Sequence, residues 1–173
     1  MKSNRNDAFQ DKSIKVPFVV PNIDNSDRKA VITALESNLL TGGPTLRKFE
    51  NSFRDLTGSK YAIGVSNATA ALQLSLKSLK IGKDDEVIIP DMTFVATANA
   101  VLFTGATPIL ADINFEDLNI SVESIKKNMS SKTKAIIPVH FAGKSCNMKE
   151  ISKIAKQYHV KIIEDCAHAV GTK

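Results

Sequence analysis

From residue 61 onward, short apolar runs alternate with stretches in which apolar residues recur every three or four positions. YAIGVS (61–66), EVIIP (86–90), TPILA (107–111), KAIIPV (134–139) and VKIIED (160–165) read as strands. Between them the spacing predicts helices over Thr69–Leu79, Phe94–Phe103, Val122–Met129 and Met148–Tyr158. Asn147 and Glu150 give the last of these a variant of the capping box. Strands that start every 20–27 residues or so, with a helix between, are the mark of βαβ units. The fold class is therefore α/β, with a mostly parallel sheet flanked by helices.

Ahead of this rhythm, Ser26 is placed to cap a helix running to about Ser37, with Val31, Ile32 and Leu35 on one face. LTGGPT (40–45) breaks the chain, and Leu46, Phe49, Phe53 and Leu56 then mark an amphipathic helix closed by Gly58. Residues 1–16 are polar and aperiodic and read as a flexible arm.

A length of 173 residues suits one domain with a real core and is short for two. With 43% hydrophobic and 24% charged residues, disorder is excluded. The net charge of +5 raises the question of nucleic acid. Its lysines are scattered, however (Lys77, Lys80 and Lys83, then Lys126 and Lys127, then Lys153 and Lys156), and only 6% of residues are aromatic. That pattern fits a solvated surface, so no nucleic-acid partner is expected. No run is long enough to span a membrane and the N-terminus has no apolar signal core, which predicts a cytoplasmic protein without a membrane partner. Cys146 and Cys166 show no CxxC spacing and suit free thiols in a reducing compartment.

Ligands of open α/β sheets bind beyond the carboxyl ends of the strands, and four segments reach that edge with residues of chemical interest. In GVSNATAALQL (64–74) a strand enters a helix of small residues. The N–H groups of Ala68, Thr69 and Ala70, with the Thr69 hydroxyl, would cradle a phosphate; a plain helix cap by Asn67 or Thr69 explains the same letters. The segment is neither a Walker A loop nor GxGxxG. PDMTFVATANA (90–100) sets Phe94 at a strand end, flanked by Thr93 and Thr97, where the ring either stacks on a planar ligand or fills the core. PVHFAG (138–143) delivers His140, and a lone histidine is more often structural than catalytic.

The fourth segment is IIEDCAHAVGT (162–172). Asp165 and His168 share a side if the turn between them is helical, but two ligands do not make a zinc site, so no metal is expected. A carboxylate buried at a strand end needs a cation or a strong donor. Capping the following turn would satisfy it. So would the protonated ring nitrogen of a cofactor, the arrangement that makes pyridoxal phosphate an electron sink.

From about Ile14 to Lys173 the sequence resembles the N-terminal part of the DegT/DnrJ/StrS family of pyridoxal phosphate-dependent nucleotide-sugar aminotransferases. The matching stretches are LLTGGPTLRKFENSF, YAIGVSNATAALQLSL, DEVIIPDMTFVATANAVLFTGATPILADI, PVHFAG and IIEDCAHAVGT. The resemblance implies that Ala68 and Thr69 hold the cofactor phosphate, Phe94 stacks on the pyridine ring and Asp165 binds the ring nitrogen. His168 matches the Gln-or-His position beside the ring, and Thr41 and Gly42 fall in the loop lining the sugar side.

The same resemblance implies an incomplete fold-type I large domain. Residues 17–173 would be its N-terminal portion, with the Schiff-base lysine, the later strands and a small C-terminal domain all missing. The implied reaction transfers an amino group, usually from glutamate, to a nucleotide-linked keto-deoxysugar in amino-sugar or surface-polysaccharide biosynthesis. Pyridoxal phosphate would pass through its pyridoxamine form, in a homodimer, and the chain alone is expected to be inactive. Two alternatives stand beside this: a sugar dehydratase of the same family, with histidine replacing the lysine, and a non-catalytic α/β remnant or regulatory binding module.

Overall fold

Four of the five expected strands form among the described residues, 20–172, of the structure, a computed structural model. The helices there are α1 (Asn25–Leu35), α2 (Gly43–Thr57), α3 (Ala68–Ser78), α4 (Ala96–Leu102), α5 (Val122–Lys127) and α6 (Met148–Tyr158). The strands β1 (Glu86–Pro90), β2 (Thr107–Ala111), β3 (Thr133–Ile136) and β4 (Lys161–Ile162) are all parallel, in the order β2-β1-β3-β4. Ile88 stands opposite Ile109 on one side and Ile136 on the other.

The two-residue period of a strand sorts the apolar residues onto two faces. Val87, Ile89, Ala135 and Ile137 pack with Leu72 and Leu76 of α3 and Ala100 and Val101 of α4. Ile88 and Ile136 face the other way, onto Ile125 of α5 and Ile151 and Ile154 of α6. Both faces are covered, which explains why these strands read as continuous apolar runs rather than alternating ones.

The fifth expected strand, residues 61–66, does not form. No neighbouring strand pairs with it among the described residues. The Gly64 N–H is instead taken by the Glu50 carboxylate at 2.8 Å, and the Tyr61 carbonyl by the Ser59 hydroxyl at 3.0 Å. Ile63 is left 82% exposed. An apolar alternation supplies the side chains of a strand but not the partner its backbone needs.

The chain divides into two compact units, Met1–Lys48 and Phe49–Lys173. In the first, the helix cap is Asp24 rather than Ser26. Its Oδ1 accepts the N–H groups of Ser26 (2.6 Å) and Asp27 (3.0 Å), while the Asp27 carboxylate accepts the Asp24 N–H at 2.9 Å. A bond from the Ser26 hydroxyl, and then those from the Asp27 and Ser26 N–H groups, hold the Asp24 carboxyl below its ordinary range. Val31, Ile32 and Leu35 lie on this helix but stay exposed and bury no face. The arm expected at 1–16 lies outside the described residues. After α2 ends at Thr57, Gly58 follows with a φ of 67°, the left-handed conformation that glycine adopts most cheaply.

Candidate active site

The strand order places a topological switch at the centre of the sheet. From β1 the chain moves outward to β2; from β3 it moves the opposite way, to β4. Beyond the carboxyl ends of β1 and β3 the connections therefore diverge and leave a crevice, the position where open α/β sheets bind ligands. The segments after β1, β3 and β4 carry Phe94, His140 and Asp165.

Asp165 continues the sheet as a single parallel bridge to Val139. Its N–H donates to the Pro138 carbonyl at 2.9 Å, and its carbonyl accepts the His140 N–H at 3.2 Å. The backbone is thus fixed, and the side chain, half-buried, takes two neutral donors. Oδ1 accepts the Ala167 N–H at 3.1 Å and Oδ2 accepts the Thr97 hydroxyl at 3.3 Å. Asp165 does cap its turn, as one reading of the sequence had it, but only with one oxygen. Among the described residues no Lys, Arg or His pairs with it.

Phe94 is not the first residue of a helix. It sits in the turn after β1, two residues before α4, with its ring 74% exposed rather than in the core. Thr97 lies one turn on and is fully buried; its N–H donates to the Phe94 carbonyl at 3.0 Å. Its hydroxyl also lies 2.8 Å from that of Thr93.

At the start of α3 the cap is Asn67, not Thr69, and its Oδ1 accepts the Ala70 N–H at 2.9 Å. The Ala68 and Thr69 amides, one and two places into the helix, keep the unpaired N–H groups that every helix start leaves. α3 packs against α4, the helix that carries Thr97.

His168 does not share a helical face with Asp165. Residues 166–169 form a turn closed by the Ala169 N–H on the Cys166 carbonyl at 2.9 Å. The exposed His168 ring meets the edge of Phe141 at 6.3 Å between centroids. Thr41 and Gly42 form the exposed bend before α2, in the first compact unit.

His140 is buried and structural. Its Nδ1 accepts the Cys146 N–H at 3.0 Å, which leaves the ring proton on Nε2, 3.0 Å from the Glu164 carboxylate. Buried Asn119 finishes the pinning of this loop. Its Nδ2 donates to the carbonyls of Lys144 and Ser145, each at 3.2 Å, and its Oδ1 accepts the Phe141 N–H at 3.1 Å. Gly143 has a φ of 84°, and a Cβ there would lie 3.2 Å from the His168 carbonyl oxygen, so the chain needs glycine at this point. Nothing in the sequence announced Asn119. The Thr93–Thr97 pair did leave a signal, since residues four apart at a helix start share a side.

Burial, reinforced by the charge of Asp117, pushes the Cys146 thiol up to about 11. Cys166 is exposed but also raised, chiefly by partial desolvation and then by Glu164 and Asp165. The native chain is therefore expected to take one thiol label, slowly, on Cys166, and a second on Cys146 only after unfolding; peptide mapping checks this. Because the folded value of Cys146 lies above the unfolded one, its contribution to stability is present below pH 9 and lost as pH rises toward about 11.

The sequence profile of the DegT/DnrJ/EryC1/StrS aminotransferase family matches residues 21–173. The chain belongs to that family. It is 46% identical over 158 residues to an uncharacterized protein of Methanocaldococcus jannaschii, covering 91% of this chain and 41% of that protein. The aminotransferase from Psychrobacter cryohalolentis superposes with a TM-score of 0.84 at 40% identity, over 90% of this chain and 40% of that one. A Streptococcus pneumoniae protein assigned as a sugar aminotransferase, solved in its pyridoxamine phosphate form, gives 0.86 at 30% identity, over 90% and 43%. The chain spans about two fifths of the length of these relatives.

The DegT-family cofactor is pyridoxal phosphate, and the residues in hand suit it. Two helix-start amides without acceptors among the described residues suit a phosphate, an exposed aromatic ring at a strand end suits a planar ring, and a half-buried carboxylate without a cation among those residues suits a pyridinium nitrogen. Among the described residues no helix is long and apolar enough to cross a membrane, and no group of three or more His, Cys, Asp or Glu is arranged to hold a metal.

Proposed function

We propose that residues 17–173 form the cofactor-holding portion of the large domain of a pyridoxal phosphate-dependent sugar aminotransferase. The parent reaction would move an amino group from an amino acid, usually glutamate, to a nucleotide-linked keto sugar. The observation that carries this reading is Asp165, a half-buried carboxylate whose partners among the described residues are all neutral. A buried charge of that kind calls for an opposite one, and family membership supplies the candidate.

In this reading Asp165 accepts the N–H of the ring nitrogen and keeps its proton in place. The Ala68 and Thr69 amides hold the phosphate, with the positive end of α3 behind them, and Phe94 covers one face of the ring. His168 flanks the ring. When bound, the cofactor supplies the carbonyl that exchanges amino groups and the cationic ring that withdraws electrons. The Schiff-base lysine is not among these residues in our reading, so the chain by itself binds without turning over. Cytoplasmic location and assembly as a homodimer belong to the same proposal.

The 173-residue chain should bind pyridoxamine phosphate reversibly, and pyridoxamine about 10- to 100-fold more weakly, the worth of one charge-assisted contact or more. Reduction with borohydride after exposure to pyridoxal phosphate should leave label scattered over several lysines. Equal affinity with and without the phosphate would remove Ala68 and Thr69 from the site. One stoichiometric adduct on a single lysine would place the catalytic lysine inside this chain.

A further inference from the structure

Thr97 touches both groups that the proposed function assigns to the cofactor ring. Its N–H donates to the Phe94 carbonyl at 3.0 Å, and its hydroxyl donates to Asp165 Oδ2 at 3.3 Å, joining residues 68 apart in sequence. Thr97 is wholly buried, so water does not compete for that hydroxyl. Its oxygen also lies 2.8 Å from the Thr93 hydroxyl. The direction of this chain follows from the acceptor at its end. An ionised carboxylate cannot donate, so the one Thr97 proton goes to Asp165, and Thr93 must donate to Thr97. Each bond polarises the next, in the direction that strengthens the last one.

We propose that Thr97, backed by Thr93, is a positioning residue. It selects one rotamer of Asp165 and ties the carboxylate to the turn that carries Phe94, so that the acid would be presented to the ring nitrogen in a single orientation. The inference rests on the reading of Asp165 as the ring-nitrogen partner. Thr97 touches no cofactor atom in this account; it acts through its two neighbours. The Ala167 N–H alone would hold Oδ1 but leave Oδ2 without a protein partner, free to swing about that single contact.

The test uses the whole chain and two substitutions at Thr97. Valine keeps the volume and branching but removes the hydroxyl; serine keeps the hydroxyl and loses a methyl. The first readout needs no ligand. NMR three-bond couplings of the Asp165 side chain should report one rotamer in the wild-type chain and in Thr97→Ser, and averaged values in Thr97→Val. A single, unchanged rotamer in Thr97→Val would overturn the proposal.

The second readout compares pyridoxamine phosphate with its analogue carrying carbon in place of the ring nitrogen. Thr97→Val should lower the preference for the nitrogen-containing ligand by about 5- to 10-fold, the worth of one hydrogen bond, and Thr97→Ser should restore it. Equal loss for both ligands would mark Thr97 as merely structural and count against the proposal. Asp165→Asn separates the two levels. If that variant leaves the preference intact, the reading of Asp165 itself fails; if it erases the preference while Thr97→Val does not, only the role of Thr97 fails.

Discussion

Asp165→Asn is expected to cut affinity for pyridoxamine phosphate by about 10- to 100-fold, the usual worth of a charge-assisted hydrogen bond, while the chain stays folded. The surrounding donors explain both halves of that outcome. The Ala167 N–H, a backbone group, can only donate, so the amide oxygen of Asn stays where Oδ1 was. The amide nitrogen then faces Thr97, whose hydroxyl adapts by turning to accept from it and donating its own O–H to Thr93. The hydrogen-bond chain simply reverses, so the fold tolerates the change. A neutral amide, however, offers the ring cation no opposite charge. Isothermal titration alongside a urea melt measures both quantities, and unchanged affinity in a folded variant would dismiss the assignment.

The largest loss of stability away from the apolar layers is expected at Asn119→Ala, about 2–4 kcal/mol by urea denaturation, because a buried group stripped of its partner costs roughly 1–3 kcal/mol. Asn119 is 1% exposed and makes three contacts with the loop after β3. Alanine would strand the Phe141 N–H and the Lys144 and Ser145 carbonyls together, with solvent relieving only part of the loss. The loop holds Phe141 against His168, so the same variant should loosen the His168 ring. A loss below about half a kcal/mol, the range of ordinary surface changes, would mean that solvent replaces all three bonds.

Strands flanked by helices on both sides leave a strong imprint in sequence, because every residue of Val87–Ile89 and Ala135–Ile137 must be apolar. That is why β1 was readable to the residue; β2 was equally readable although it is a half-exposed edge strand. Residues 61–66 carry the same imprint yet form no strand, since pairing depends on a neighbour that local letters do not describe. Ser26 and Thr69 illustrate a smaller ambiguity. Several residues near a helix start can cap it, and backbone geometry chose Asp24 and Asn67 instead.

At the site, residues whose role comes from their own chemistry were legible: an acid at a strand end, small residues at a helix start, an aromatic after a strand. Thr97 and Asn119 were not given roles. Their function is to hold others, and the contacts through which they act span 68 residues in one case and 22 to 26 in the other. His140 fell between, visible as a histidine but explained only by the Cys146 amide and the Glu164 carboxylate around it.

The order β2-β1-β3-β4 also has a consequence during synthesis. β1 and β2 leave the ribosome first and can pair at once, but the far edge of β1 waits for β3, which ends at Ile136. At translation rates of about 5–20 residues per second, the wait lasts on the order of a few seconds. Through that interval the carbonyl of Ile88, later taken by the Ile137 N–H at 2.8 Å, belongs to an open and thoroughly apolar edge. A nascent chain stalled before β3 should therefore be sensitive to protease around β1, and one stalled after β4 should have lost that sensitivity.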